Sequence, residues 1–260
     1  MNKVSGFALI TGIILILAIQ KIEAGTIGII IQPIAFLIVC GGTFCASLVN
    51  FGPNVVKNAI LSAINIFSKE QDNSKQTIED IIEIAYYARR NGLFSLEQVI
   101  DEIQDPFLRR GVQLCIDINN PQLIHDILER EIAYDEEQEL INSRVFEAIG
   151  GYAPTFGIVG AVMGLIQVMS NMHEIDILAK GIATAFVATL YGVGFANLIF
   201  LPIAGNLKQR LREKVLLKEV ILQGLISIQM QENPAIIEEK LLSYIKYHNK
   251  NHSLEVQRYI

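Results

Sequence analysis

The side chains that could handle an ion lie in two stretches without a formal charge. Residues 148–172 and 181–207 contain no Asp, Glu, Lys or Arg, yet they hold Thr155, Thr184, Thr189, Pro154 and Pro202. A hydroxyl offers a neutral oxygen ligand or one link in a proton chain. A proline removes a backbone hydrogen bond, and in lipid the freed carbonyl needs a neighbouring helix or water. Ion pumps and relays usually keep an Asp, Glu or His inside the membrane. None occurs here, so these stretches can line a pathway but lack the titrating group. If ions cross, a partner helix supplies the carboxylate. The alternative is that the threonines bond to the preceding turn and the glycines only pack helices, and periodicity alone leaves the two readings equal.

A second constellation is charged. Arg89 and Arg90 end one expected helix and Glu97 opens the next, across the short segment 91–95. Each placement suits the helix macrodipole. The functional alternative is a bipolar patch that docks a charged protein partner. Enzyme chemistry finds no support: there is no GxSxG, HExxH, Walker loop or CxxC, and no nucleophile, base or metal set converges. His125, His173, His248 and His252 are scattered, and the i, i+4 pair His248 and His252 belongs to a polar tail, so neither a metal nor a cofactor is expected. A net charge of −6 and the lack of a basic aromatic patch argue against nucleic acid. Cys40, Cys45 and Cys115 cannot form a disulfide framework.

The elements that position these residues follow from the charge pattern. A mean hydropathy of +0.38 with 18% charged residues, the charges gathered between apolar runs, indicates membrane spans plus a polar part. The apolar runs are 4–19, 29–51, 150–166 and 181–202. The last two approach or exceed the roughly 20 residues that cross a bilayer core. Both carry small residues at three- and four-residue spacing: Gly157, Gly160 and Gly164 in one, Gly181, Ala185, Ala188, Gly192 and Ala196 in the other. Such seams let helix backbones approach closely in lipid. Between the runs, helices are expected over 54–68 and 77–90, from a Ser95–Gln98 capping box, over 106–118, and from the Asn120-Pro121 cap to about Glu147, the last continuing into the span at Gly150. Turns are expected at 21–28 and 172–180, a helix from Lys208 to about Glu232, and a last short helix from Asn233-Pro234. No strand-like alternation stands out.

The expected fold is therefore all-α: an integral membrane protein with four transmembrane helices and a cytoplasmic helical domain between spans two and three. The expected boundaries are 1–51 for spans one and two, 52–147 for the cytoplasmic domain, 148–207 for spans three and four, and 208–260 for cytoplasmic C-terminal helices and tail. Lys57, Arg144 and the cations from Lys208 to Lys218 lie beside spans, which places both termini and the insert inside by the positive-inside rule.

Three stretches carry a family resemblance. Residues 92–97, Gly-Leu-Phe-Ser-Leu-Glu, preceded by Arg89, resemble the cytoplasmic torque motif of the MotA/PomA-type subunit of the bacterial flagellar stator. Residues 153–165 and 188–204 resemble its third and fourth spans. The resemblance covers all but about the last dozen residues. It implies a ring of five such subunits in the bacterial inner membrane, multi-pass with both termini cytoplasmic, around two MotB-type partners whose single span carries the ion-binding Asp. It also implies ion flow that drives rotation against the rotor protein FliG. Carried over by position, Pro154, Thr155, Ala161, Thr189 and Pro202 fall on the ion pathway, and Arg89, Arg90 and Glu97 on the rotor contact. Gly157, Gly160, Gly164, Gly181, Ala185 and Gly192 pack the helices.

There are departures. Sodium-preferring members tend to have Thr at Ala161 and an acid near Gly151, and Gln98 stands where some relatives have a second Glu. A lost hydroxyl is a lost ligand for a hard cation, so protons are favoured over sodium. Two other readings compete: an ExbB/TolQ-type energiser, whose members usually have three spans, and a membrane scaffold without ion flux.

Overall fold

The computed structural model describes Thr11 and residues 30–65, 74–170 and 173–244. The expected span over 4–19 and the turn over 21–28 lie outside these residues, as do His248 and His252. Among the described residues all regular structure is helical, with no strand. Three helices there are long and apolar enough to cross a bilayer: α1 (Pro33–Phe51), α5 (Pro121–Ser170) and α6 (Ile175–Gln229). The remaining helices are α2 (Pro53–Asn65), α3 (Ser74–Asn91), α4 (Pro106–Asp117) and α7 (residues 234–244). Two compact units result. One comprises Met1–Lys69 with Gln138–Arg210, the other Glu70–Glu137 with Leu211–Ile260.

These boundaries differ from the expected cuts at 51/52, 147/148 and 207/208. The reason is the apolar face of α2. Val56, Ala59 and Ala63 recur at helical spacing and pack on Val145, Phe146 and Ile149 of α5 and Ala204 of α6. That contact draws α2 and the adjoining part of α5 into the first unit. Helices α5 and α6 each supply residues to both units.

The first unit holds the apolar spans. Tyr191 of α6 donates its hydroxyl to the Ile30 carbonyl at 2.6 Å, which satisfies an acceptor just before α1. Tyr191 also stacks on Phe195 with centroids 5.3 Å apart, while Phe36 meets both rings edge-on. Midway along both helices, the Ser143 hydroxyl of α5 donates to the Ala204 carbonyl of α6 at 3.1 Å, and Lys208 pairs with Glu147. Two π-helical turns interrupt the regular ladder, Leu37–Gly41 in α1 and Ala196–Phe200 in α6.

The second unit has its own core. Ile81, Leu96, Leu108, Ile124, Leu128, Ile221, Leu225, Ile237 and Leu241 are all fully buried. Each such side chain contributes about 1.5–3 kcal/mol on leaving water. Helices α4, α5 and α7 start where the sequence predicts. Asp105 accepts from Leu108 N–H at 2.8 Å ahead of Pro106, and Asn120 accepts from the Gln122 and Leu123 amides ahead of Pro121. The Asn120-capped helix runs unbroken through Gly150 to Ser170, as the continuation of its apolar run predicts. Asn233 accepts from Ala235 N–H at the start of α7.

Two local expectations are corrected. Ser95 does not open an α-helix: residues Leu93–Gln98 and Ile100–Glu102 form 3-10 turns. The apolar residues packed inward fall at 93, 96, 99, 100 and 103, close to a three-residue period, which suits the three-residue turn. The Ser95 hydroxyl donates backward to the Gly92 carbonyl at 2.6 Å instead of accepting a forward amide. The turn expected over 172–180 is shorter, because α6 already begins at Ile175 with Asp176 in its first turn.

Burial also sets one reactivity. Cys115 is 3% exposed, and desolvation pushes its thiol pKa up to about 12. The reactive species is the thiolate. In the folded chain Cys115 is therefore expected to resist iodoacetamide at pH 8 and to react fully once denaturant is added. Site-resolved mass spectrometry checks this; complete labelling before unfolding would contradict the burial.

Candidate functional site

In the first unit the expected pathway residues gather along α5 and α6, whose backbones nearly touch. A Cβ on Gly157 would stand 3.0 Å from the Ala188 carbonyl and 3.3 Å from the Gly192 Cα. One on Gly192 would stand 2.6 Å from the Ala153 carbonyl and 3.1 Å from the Pro154 Cα. Further along, a Cβ on Gly164 would lie 2.7 Å from the Gly181 carbonyl and 2.9 Å from the Ala185 amide nitrogen, and one on Gly160 would lie 2.6 Å from the Ala188 Cβ. Residue numbers rise on α5 as they fall on α6, so the helices are antiparallel. Gly157, Gly160 and Gly164 of α5 and Gly181, Ala185 and Gly192 of α6 all lie along this line. No side chain fits between backbones this close.

The hydroxyls lie on or beside the same seam. Thr184 is buried, and its hydroxyl donates to the Lys180 carbonyl at 2.9 Å. Thr155 and Thr189 are exposed, donating to the carbonyls of Tyr152 at 2.7 Å and Ala185 at 3.3 Å. In this chain the hydroxyl protons thus turn back into their own helices, while the oxygen lone pairs stay available as acceptors. Ala161 and Pro154 are half-buried on α5.

Pro202, also half-buried, follows the α6 π turn directly. The Leu201 amide reaches back to the Ala196 carbonyl, a five-residue step, just before the proline that cannot donate. The ladder is re-phased where a standard bond is impossible. The Asn206 side chain then donates to the Pro202 carbonyl at 2.8 Å. Between Gly150 and Ser170 on α5, and between Gly181 and Leu207 on α6, no acid, base or histidine stands.

In the second unit the charged residues lie on either side of a sharp turn. Arg89 and Arg90 are exposed in the last turn of α3, where cations complement the carbonyl end of the helix. Gly92 reverses the chain at φ +89°, a conformation that strains other residues. Leu96, 0% exposed, anchors the 3-10 turn in the core, and Tyr87 donates its hydroxyl to Gln98 Oε1 at 3.4 Å. Glu97 is exposed on the same turn. It stands at no α-helix N-terminus, so the macrodipole explanation holds for the arginines alone. Among the described residues Arg89, Arg90 and Glu97 form no ion pair with one another or with other groups.

Sequence reasoning passed over several features. Arg109 is pinned through Nε and Nη2 to the Ile103 carbonyl beside this turn. His125, Asp126 and Glu129 bring one donor atom each within 4.8 Å, as one turn of a solvent-facing helix often does. The Tyr191 bond to Ile30 joins groups far apart in the chain, which no local pattern announces.

Comparison with known proteins adds to this geometry. Residues 99–220 match the family model described as the MotA/TolQ/ExbB proton channel family. The chain is similar to motility protein A of Bacillus subtilis, 33% identical over 94% of this chain and 91% of that protein. It is also similar to chemotaxis protein PomA of Vibrio alginolyticus, 31% identical over 94% of this chain and 93% of that one. Among solved structures it matches that of C. jejuni MotAB with a TM-score of 0.87, at 28% identity over 94% of this chain and 96% of the matched chain.

The seam is open to a paired test. Gly192→Val places carbons where the Ala153 carbonyl already stands, whereas a Cβ at Gly194 meets nothing within 4 Å. Gly192→Val is expected to destabilise the helix pair by about 1–3 kcal/mol or more and to lower the folded yield from membranes, while Gly194→Ala leaves it unchanged. Thermal melting and gel filtration in detergent check this; equal behaviour of the two variants would refute backbone contact.

Proposed function

Since the chain belongs to the MotA/TolQ/ExbB proton channel family, we propose that it is the stator subunit of a bacterial flagellar motor, coupling proton flux to torque on the rotor. The observation that carries this reading is a division of labour. The α5–α6 seam presents exposed hydroxyls and prolines that each remove a backbone donor, without a titrating group, and another turn presents charges of both signs that are unpaired among the described residues. A channel lacking its own carboxylate needs a partner helix that brings one. A MotB-type subunit with a membrane Asp fits that need, and the MotAB complexes among the matched structures support it.

In this reading several copies of the chain surround the partner, five by analogy with the family, and the protein is a multi-pass component of the inner membrane with both termini cytoplasmic. Residues 52–147 and 208–260 lie on the cytoplasmic side. Ions pass between the partner's Asp and the face carrying Thr155, Ala161 and Thr189. Pro154 and Pro202 leave carbonyls outside the regular ladder, which lets helix geometry respond as the Asp gains and loses its proton. Arg89, Arg90 and Glu97 meet charges on a FliG-type rotor protein. The chemistry is transport and force transmission, with no covalent step for the chain to catalyse.

Proton use follows from Ala161, since an alanine there gives a desolvated sodium ion one oxygen fewer.

Cells deleted for this chain are expected to be flagellated but paralysed. Arg89→Asp, Glu97→Lys and Pro154→Ala should reach the membrane at normal levels but fail to restore swimming, the two charge reversals weakening rotor contact roughly tenfold each. Tracking and electron microscopy check this. Wild-type speed from all three, with no second stator in the cell, would overturn the reading. Swimming speed should be unchanged when potassium replaces sodium in the medium, and co-expression with a plug-free partner should acidify the cytoplasm. A strict sodium requirement would overturn the proton assignment alone.

A further inference from the structure

The turn that carries Glu97 also carries Phe94, 79% exposed and the most exposed aromatic side chain among the described residues. Its neighbours behave oppositely. Leu93 packs against the core of the second unit, and Leu96 is 0% exposed. The turn is braced around them: the Ser95 amide and hydroxyl both donate to the Gly92 carbonyl, and Tyr87 bonds Gln98. Phe94 is thus held outward by a fixed backbone and not by a loose loop. Tyr86, 58% exposed, shares the outer face of α3 with Arg89 and Arg90 at three- and four-residue spacing.

An outward aromatic with arginines on one side of it in sequence and a glutamate on the other, all three charges unpaired among the described residues, has the composition of a binding hot spot. Such sites place an aromatic side chain in an apolar socket and surround it with polar groups that exclude water. A preorganised turn lowers the ordering cost of binding. The acids near Phe94, namely Glu97, Asp101 and Glu102, are all exposed and disfavour an anionic lipid surface. The mixed charge favours a protein surface carrying both signs.

We infer that Phe94 is the apolar anchor of the rotor contact, entering a hydrophobic socket on the rotor protein that is flanked by an acid opposite Arg89 and Arg90 and a base opposite Glu97. This rests on the motor reading above. It adds a short-range, salt-insensitive component to a contact that charges alone would make long-range and salt-sensitive.

The test uses the full stator complex. p-Benzoylphenylalanine placed at position 94 in motile cells should give, on irradiation, an adduct with the rotor protein. Purified complex carrying Phe94→Ala should capture the rotor protein about thirtyfold less well than wild type, and Phe94→Leu should retain most of the binding. Membrane level and proton leak with a plug-free partner should match wild type in both variants. Adducts formed only with a second copy of this chain or with lipid, or undiminished capture by Phe94→Ala, would overturn the inference. Arg89→Asp in the same capture assay separates the two claims. If it abolishes capture while Phe94→Ala does not, the anchor is wrong and the motor reading stands. If neither variant changes capture or swimming, both fall.

Discussion

Where Gly157 and Gly164 of α5 face Gly192 and Gly181 of α6, no side chain stands between two helix backbones. In lipid this is the available way to hold helices together tightly, because a hydrocarbon solvent gives apolar side chains no reason to leave it. Dispersion scales steeply with distance, so contact at the van der Waals limit replaces the hydrophobic effect as the source of cohesion. The rest of the first unit depends on it. With glycine and alanine consumed by the seam, larger groups are turned outward: Ile158, Val162, Ile166, Phe186 and Leu190 are all exposed. Thr155 and Thr189 end up beside the seam and open to another helix, and the seam is also what brings Ser143 and Glu147 within reach of Ala204 and Lys208.

The second unit solves a different problem by ordinary means. Its helices bury a contiguous aliphatic core, and that core is what makes a short 3-10 segment rigid. Leu93 and Leu96 are driven inward, and the residues between and after them, Phe94 and Glu97, are consequently directed out. The surface chemistry of the turn is thus a by-product of its packing. The same hydrophobic driving force that fixes the core leaves Phe94 and Glu97 displayed to solvent.

Much of this could be read from the chain and some could not. The glycine spacing at 157, 160, 164, 181 and 192 is a local pattern with one physical use in lipid, so the seam was legible. So were the helix starts at Asn120 and Asn233, because a cap acts within three residues. The Ser95–Gln98 segment misled because its residue types match a capping box, while the preceding Gly92 had already set the chain to turn tightly. The apolar spacing of three residues was the better guide. The grouping of α2 with the spans, and the Tyr191 bond to Ile30, depend on partners roughly 80 to 160 residues away, which no window of sequence contains. The outward stance of Phe94 was hidden for a related reason: its composition says core, and only the burial of its neighbours shows which way the turn faces.

The π turn at Ala196–Phe200 makes chain length itself a constraint. The Leu201 amide bonds to the Ala196 carbonyl five residues back, where a regular helix bonds four back. The extra residue is a frame shift in the helical repeat. Each residue of an α-helix turns it by about 100°. Deleting one residue between 196 and 200 would therefore repair the hydrogen-bond ladder while swinging Ala204 and Lys208 away from Ser143 and Glu147. A change that makes the helix more regular would make the protein less able to close. Substitutions in this segment can be absorbed one at a time, whereas insertions and deletions cannot, so relatives sharing the arrangement should align across it without gaps even where their residues differ.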